Sequence, residues 1–180
     1  AFQIIMPHLN QRVIGIFNHG QFGLGHHTGV KRLLHPRLGL RFDALIRPGH
    51  LPALLRMLER HPNLAVVIDH AAKPDIATGM WAPWADLMRA ASMSPRVRCK
   101  VSGLVTEAGV GWTIDQLRRY VDFLAECFGP QRLMWGSDWP VVNLTGTYQS
   151  WFDATLALTA GWSAEDRAAL MGGTARRFYG

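Results

Sequence analysis

Leu64-Ala65-Val66-Val67-Ile68-Asp69-His70 (LAVVIDH) is the stretch that decides the fold. Five apolar residues, three of them β-branched, run straight into an ionisable pair. A continuous apolar strand of this kind is covered on both faces, as strands of parallel sheets are. The polar pair at its end breaks the local pattern, and such breaks are expected at functional sites.

Working outward, the same unit repeats: apolar strand, polar loop, amphipathic helix, turn. Upstream, Phe42–Arg47 (FDALIR) reads as a strand, followed by a helix with Leu51, Leu54, Leu55 and Leu58 at helical spacing, which His61-Pro62-Asn63 breaks. Downstream, a helix around Trp81–Ala91 carries Trp84, Leu87, Met88 and Ala91, and Val97–Leu104 (VRCKVSGL) is the next strand. Thr113-Ile114-Asp115-Gln116 is a capping box that opens a helix with Leu117, Tyr120, Val121, Leu124 and Phe128. Gly129-Pro130 ends that helix. Arg132–Asp138 (RLMWGSD) is a further strand, and helices follow near Tyr148–Thr159 and Ser163–Met171. Arg12–Phe17 reads as one more strand.

The clear strands centre near residues 43, 67, 100 and 134, about the 30 residues that a strand–helix unit takes. Alternating strands and helices predict an α/β fold with a parallel sheet, either a (β/α) barrel of the TIM type or a doubly wound sheet. No G-x-G-x-x-G occurs to favour the second; Gly23-Leu24-Gly25 lacks the third glycine. Polar residues instead gather at successive strand ends: Asp69-His70, Lys100 with Ser102, and Ser137-Asp138. Barrel active sites are built from those ends, so the barrel is the expected architecture. A closed barrel of eight strands needs about 250 residues. With 180 residues and about five strands, residues 1–180 are expected to form one barrel domain lacking its N-terminal strands. Open sheet edges of that kind invite pairing with a second copy.

Composition narrows the function. Hydrophobic residues make up 48% and charged ones 18%, which excludes wholesale disorder. No apolar run approaches the ~20 residues needed to cross a bilayer, and no basic-then-apolar leader opens the chain. Cys99 and Cys127 fit free thiols in a reducing, cytoplasmic setting. The net charge of +6 suits an acidic ligand. The basic residues are scattered, however, and only a pI of 10.0 suggests nucleic acid, so neither nucleic acid nor membrane is an expected partner.

Among candidate site residues, Asp138 in WGSDWP (Trp135–Pro140) sits at a strand end, suited to accept a proton from water or to bind a metal. Capping of the following turn is the structural alternative. Neighbours alternate across a strand, so only one of Asp69 and His70 is expected to point inward. His70, nearer the mouth, is the choice, as a metal ligand or a donor to a substrate carbonyl. Asp69 is left to brace the outer layer. Lys100 and Ser102 share a face; the lysine either neutralises an anionic substrate or pairs with a carboxylate such as Asp138. Arg47 is a candidate carboxylate clamp and His50 a candidate substrate contact or helix cap. Trp139, beside Asp138, is a candidate substrate contact. Thr106-Glu107 reads as a solvated loop, and the His26-His27 pair carries little weight as a metal site. No G-x-S-x-G elbow supports a serine hydrolase.

LAVVIDHAAKP, CKVSGLVTEAG, FGPQRLMWGSDWPV and the closing GGTARRFYG, from about Arg41 to the C-terminus, together resemble the amidohydrolase-related barrel family that includes sugar-lactone and pyrone-dicarboxylate hydrolases. The resemblance implies a distorted (β/α) barrel that opens a lactone or related C–O bond with an activated water. It implies that Asp138 matches the last-strand aspartate, base and, where metal is present, ligand, and that His70 matches the sixth-strand histidine, which meets metal or substrate. The cofactor implied is none or one divalent metal, zinc first. Three departures stand out. The family's H-x-H pair is absent from this sequence. Gly15-Ile16-Phe17-Asn18-His19 replaces G-I-R-H, which displaces a candidate substrate histidine to His19. Thr174 stands where asparagine is common. The competing expectations are a catalytically silent half-barrel that self-associates and a metal-dependent decarboxylase of the same superfamily.

Overall fold

The computed structural model describes residues 13–15 and 41–180. Five parallel strands form one sheet in the order β1-β2-β3-β4-β5: β1 (Val13–Gly15), β2 (Arg41–Ala44), β3 (Ala65–Ile68), β4 (Val97–Val101) and β5 (Leu133–Trp135). Sequence order is spatial order, as a progressively winding (β/α) wall requires. The register pairs Asp43 with Val67, Ile68 with Cys99, and Lys100 with Met134. The strands are shorter than their apolar runs predict; β2 stops at Ala44 and β3 at Ile68.

The helices are α1 (Leu51–Arg60), α2 (Trp84–Ser92), α3 (Leu104–Ala108), α4 (Ile114–Phe128), α5 (Tyr148–Leu158), α6 (Ala164–Ala168) and α7 (Thr174–Tyr179). The expected capping box starts α4: the Thr113 hydroxyl accepts from Gln116 N–H while the Gln116 side chain accepts from Thr113 N–H. These reciprocal bonds satisfy two N–H groups that a helix start otherwise leaves open.

Alternation along each strand separates two cores. Phe42, Ala44, Val66, Ile68, Val97, Cys99, Val101 and Leu133 join Leu54, Trp84, Met88, Leu117, Leu124 and Trp151 in one helix-side core. The opposite face holds a smaller cluster of Val67 and Met134 under Phe178 from α7. Among the described residues the crossover helices α1, α2 and α4 thus cover one face, as in a barrel wall; a doubly wound sheet places helices on both. Thr174, at the start of α7, is buried and its hydroxyl donates to Gln131 O at 3.1 Å, which ties α7 to the approach of β5.

The inner face also carries charge. Lys100 Nζ lies 2.7 Å from Asp69 Oδ1 and 3.0 Å from Asp43 Oδ2, and the Tyr179 hydroxyl donates to Asp43 Oδ2 at 2.7 Å. The lysine therefore pairs with Asp43 and Asp69 where the sequence suggested Asp138. Asp69, expected on the outer layer, lies inward because it continues the alternation of Val67. Burial works against the Lys100 ammonium, but the carboxylates of Asp69 and Asp43 outweigh it and hold its pKa above the ordinary lysine range. Burial raises the Asp43 carboxyl, Lys100 pulls it back, and Asp69 adds to the rise.

Removing the shared cation leaves two carboxylates facing each other in a partly buried layer. Lys100→Met should therefore cost about 3 kcal/mol, as breaking a buried pair does. The readout is a lower urea midpoint with an unchanged slope; an unshifted midpoint refutes the assignment of this cluster as structural.

Candidate active site

The site is assembled where β3, β4 and β5 end. Past Ile68 the chain leaves the strand, and His70, Ala71, Ala72 and Lys73 all take left-handed backbone angles, φ 49–58°. That run cancels the alternation expected of a strand. Asp69 stays on the inner face and His70 is turned back over the same rim. Both residues of the pair thus face the site side, where the sequence allowed only one.

His70 Nδ1 lies 2.8 Å from Ser102 Oγ, and His70 Nε2 lies 3.5 Å from Asp138 Oδ1. The Thr106 hydroxyl reaches Asp138 Oδ2 at 3.5 Å. Asp138 itself has φ 57°, an angle that non-glycine residues adopt rarely. The three groups come from three strand ends: His70 after β3, Ser102 after β4 and Asp138 after β5.

Backbone space makes the approach possible. Gly103 has φ 67°, and a Cβ there would lie 2.9 Å from His70 Nδ1; a Cβ on Gly136 would lie 3.0 Å from Ser102 Cβ. Two indoles hold the flanking backbone. Trp84 Nε1 donates to Ala71 O at 2.7 Å and Trp151 Nε1 to Gly136 O at 2.9 Å. Lys73 pairs with Glu107 at 2.9 Å, and Ala77 N–H donates to Glu107 O. Glu107, read as a solvated loop residue, is a half-buried member of α3.

Burial lowers the His70 pKa to about 4; Asp138 opposes the shift, while Lys73 and Lys100 add to it. The ring is therefore neutral at pH 7.

The other candidates fall elsewhere. Arg47 is exposed, and its backbone N–H donates to His50 Nδ1 at 3.1 Å, while His50 N–H returns to Arg47 O. The His50 ring thus closes the turn that precedes α1. Trp139 is 67% exposed beside Asp138, with its N–H on Ser137 Oγ. Lys100 lies below the rim with its charge already matched. His19, His26 and His27 lie outside the described residues. Thr106, read with Glu107 as a solvated loop, reaches Asp138; Gly103 and Gly136 carry no signal of their own in the sequence beyond the Ser-Gly step that ends β4.

His70 Nε2 and Asp138 Oδ1 are two donors of the three or four that a zinc centre takes. No group of three or more His, Cys, Asp or Glu side chains suited to a metal occurs among the described residues. The described residues do not complete a zinc centre by themselves.

A neutral imidazole and a carboxylate thus meet at the C-terminal rim of a parallel (β/α) wall. The chain belongs to the amidohydrolase family, whose model matches residues 26–180, and its fold is of the TIM-barrel α/β type. It is 44% identical over 146 residues to an L-fucono-1,5-lactonase of Burkholderia ambifaria, covering 78% of this chain and 50% of that protein. A second L-fucono-1,5-lactonase, from Burkholderia multivorans, is 40% identical over 154 residues, with 77% and 50% covered. Among solved structures, an amidohydrolase from Burkholderia multivorans with bound zinc is 37% identical at a TM-score of 0.74, over 78% of this chain and 52% of that one. The chain spans about half the length of the curated relatives it matches.

In chelator-treated protein, the His70 ring should titrate by NMR with a midpoint near 4, and a midpoint near 6.5 refutes its burial as a neutral donor. Between pH 4 and about 6.5 the unfolded chain binds a proton at this position and the folded chain does not. Stability should therefore rise with pH across that window and level off above it. Gly103→Ala should cost about 1–3 kcal/mol through the left-handed angle and displace the His70 ring, seen as a shifted imidazole resonance; wild-type stability and an unmoved resonance refute the close-approach argument.

Proposed function

We propose that the chain supplies the C-terminal half of a barrel hydrolase that opens a sugar-type lactone with water. The observation that carries this reading is the 3.5 Å approach of His70 Nε2 to Asp138 Oδ1 at the strand-end rim, in a chain similar to L-fucono-1,5-lactonases. One small carbonyl group can meet both residues.

The Asp138 carboxylate takes a proton from a water whose oxygen attacks the lactone carbonyl carbon. The carbonyl π pair moves onto oxygen, and a hydrogen bond from His70 steadies the developing charge. When the tetrahedral species collapses, the ring C–O bond breaks. Its oxygen takes the proton held by Asp138, leaving a hydroxy acid and the starting carboxylate. Atoms and charges balance without a further group. When zinc is bound, it would supply carbonyl polarisation or a more acidic water, and His70 and Asp138 are the described residues with donors for it.

Arg47, His50 and Trp139 follow strand ends on the same rim, which supports them as contacts for an oxygen-rich or anionic substrate. Among the described residues β1 and β5 are the edges of the sheet, which supports pairing with a second copy as the route to a closed pocket.

The test is acid release from L-fucono-1,5-lactone in a pH-stat. The protein should release acid, and Asp138→Asn should lower kcat by about 10²–10⁴-fold, the range for a lost general base, with the far-ultraviolet circular dichroism unchanged. No acid release by the unsubstituted protein, or undiminished turnover by Asp138→Asn, overturns the reading.

A further inference from the structure

We infer that in the metal-free protein Ser102 is a positioning residue: its hydroxyl donates to His70 Nδ1 and fixes the ring as the Nε2–H tautomer, making His70 a donor toward the reacting carbonyl and not a base.

The 2.8 Å contact between Ser102 Oγ and His70 Nδ1 admits two arrangements of protons. In one, the hydroxyl donates and Nδ1 accepts. In the other, Nδ1–H donates and the hydroxyl proton must find a second acceptor. Ser102 is buried, and its hydroxyl has no second partner among the described residues, so the second arrangement strands a buried proton. It also turns the bare Nε2 lone pair toward the Asp138 carboxylate oxygen at 3.5 Å, lone pair against lone pair. The first arrangement satisfies both ends at once: Oγ–H meets Nδ1, and Nε2–H faces Asp138 and the space where a carbonyl oxygen would sit. A neutral imidazole carries one N–H, so fixing one nitrogen fixes the other.

The fold makes this selection rigid. Ser102 follows β4 directly, on the same face as Lys100, between the strand ends that deliver His70 and Asp138. Gly103 leaves room for the imidazole and Gly136 leaves room for the serine. The division of labour follows: Asp138 moves the proton and His70 offers an N–H. The consequence for rate rests on the lactone-hydrolase reading; the tautomer does not.

The experiment is a long-range proton–nitrogen NMR correlation on chelator-treated protein labelled with ¹⁵N-histidine, with the His70 ring assigned by its loss in His70→Gln. The expected spectrum shows a bare Nδ1 and a protonated Nε2. Ser102→Ala should move the ring to a mixture of tautomers and lower kcat for L-fucono-1,5-lactone about 10–100-fold, the size seen when a histidine's outer partner is lost, with KM little changed. A merely structural role would reduce the folded fraction and leave the nitrogen shifts as in the unsubstituted protein. A ring carrying Nδ1–H in the unsubstituted protein, or unchanged shifts in Ser102→Ala, overturns the inference. Should Ser102→Ala fail to fold, Ser102→Cys, somewhat larger and a weaker donor, should give an intermediate mixture; unchanged shifts there overturn it equally. The nitrogen shifts need no turnover, so an inactive protein would sink the functional reading while this measurement still decides the tautomer.

Discussion

The site depends on how β3 stops. Four successive non-glycine residues, His70 to Lys73, take left-handed angles, each at a cost of about 1–3 kcal/mol. Packing offsets that cost. Ala71 and Ala72 are fully buried in the helix-side core, and the Trp84 indole grips the Ala71 carbonyl. Lys73 is anchored to α3 through Glu107. With this turn in place, Asp69 points down into the sheet's inner layer and His70 points across the rim. An ordinary strand would have sent one of them away.

Two polar layers result, stacked on the same face of the wall. The lower layer, Asp43, Lys100, Asp69 and Tyr179, balances one ammonium against two carboxylates and a phenol. The upper layer, His70, Ser102 and Asp138, is the candidate chemistry. Strand β4 links them, because Lys100 and Ser102 are alternate residues on one strand. Burial disfavours the charged form in both layers: at Lys100 the carboxylates of Asp69 and Asp43 outweigh it and keep the ammonium charged, while at His70 it prevails over Asp138 and keeps the ring neutral. Charge is thus held below the rim and a neutral donor is presented at it.

Much of this was legible from residue patterns. Apolar runs ending in Asp-His, Lys-x-Ser and Ser-Asp located three strand exits, and the capping box placed the start of α4 to the residue. Two things escaped. The inward direction of Asp69 was lost because alternation was applied through His70, and nothing local in Asp-His-Ala-Ala-Lys announces a left-handed run; glycine or asparagine would have. The partner of Lys100 was misjudged because Asp43, 57 residues away, becomes its neighbour only through strand register. Long-range pairing of this kind has no local signal.

The indoles of Trp84 and Trp151 hold the backbone carbonyls just past β3 and β5, at the two exits that deliver His70 and Asp138. Each indole proton can leave for deuterium only when its carbonyl is released. Their exchange rates are therefore internal clocks, one per exit, timing how often either side of the pair comes loose while the rest of the molecule stays folded.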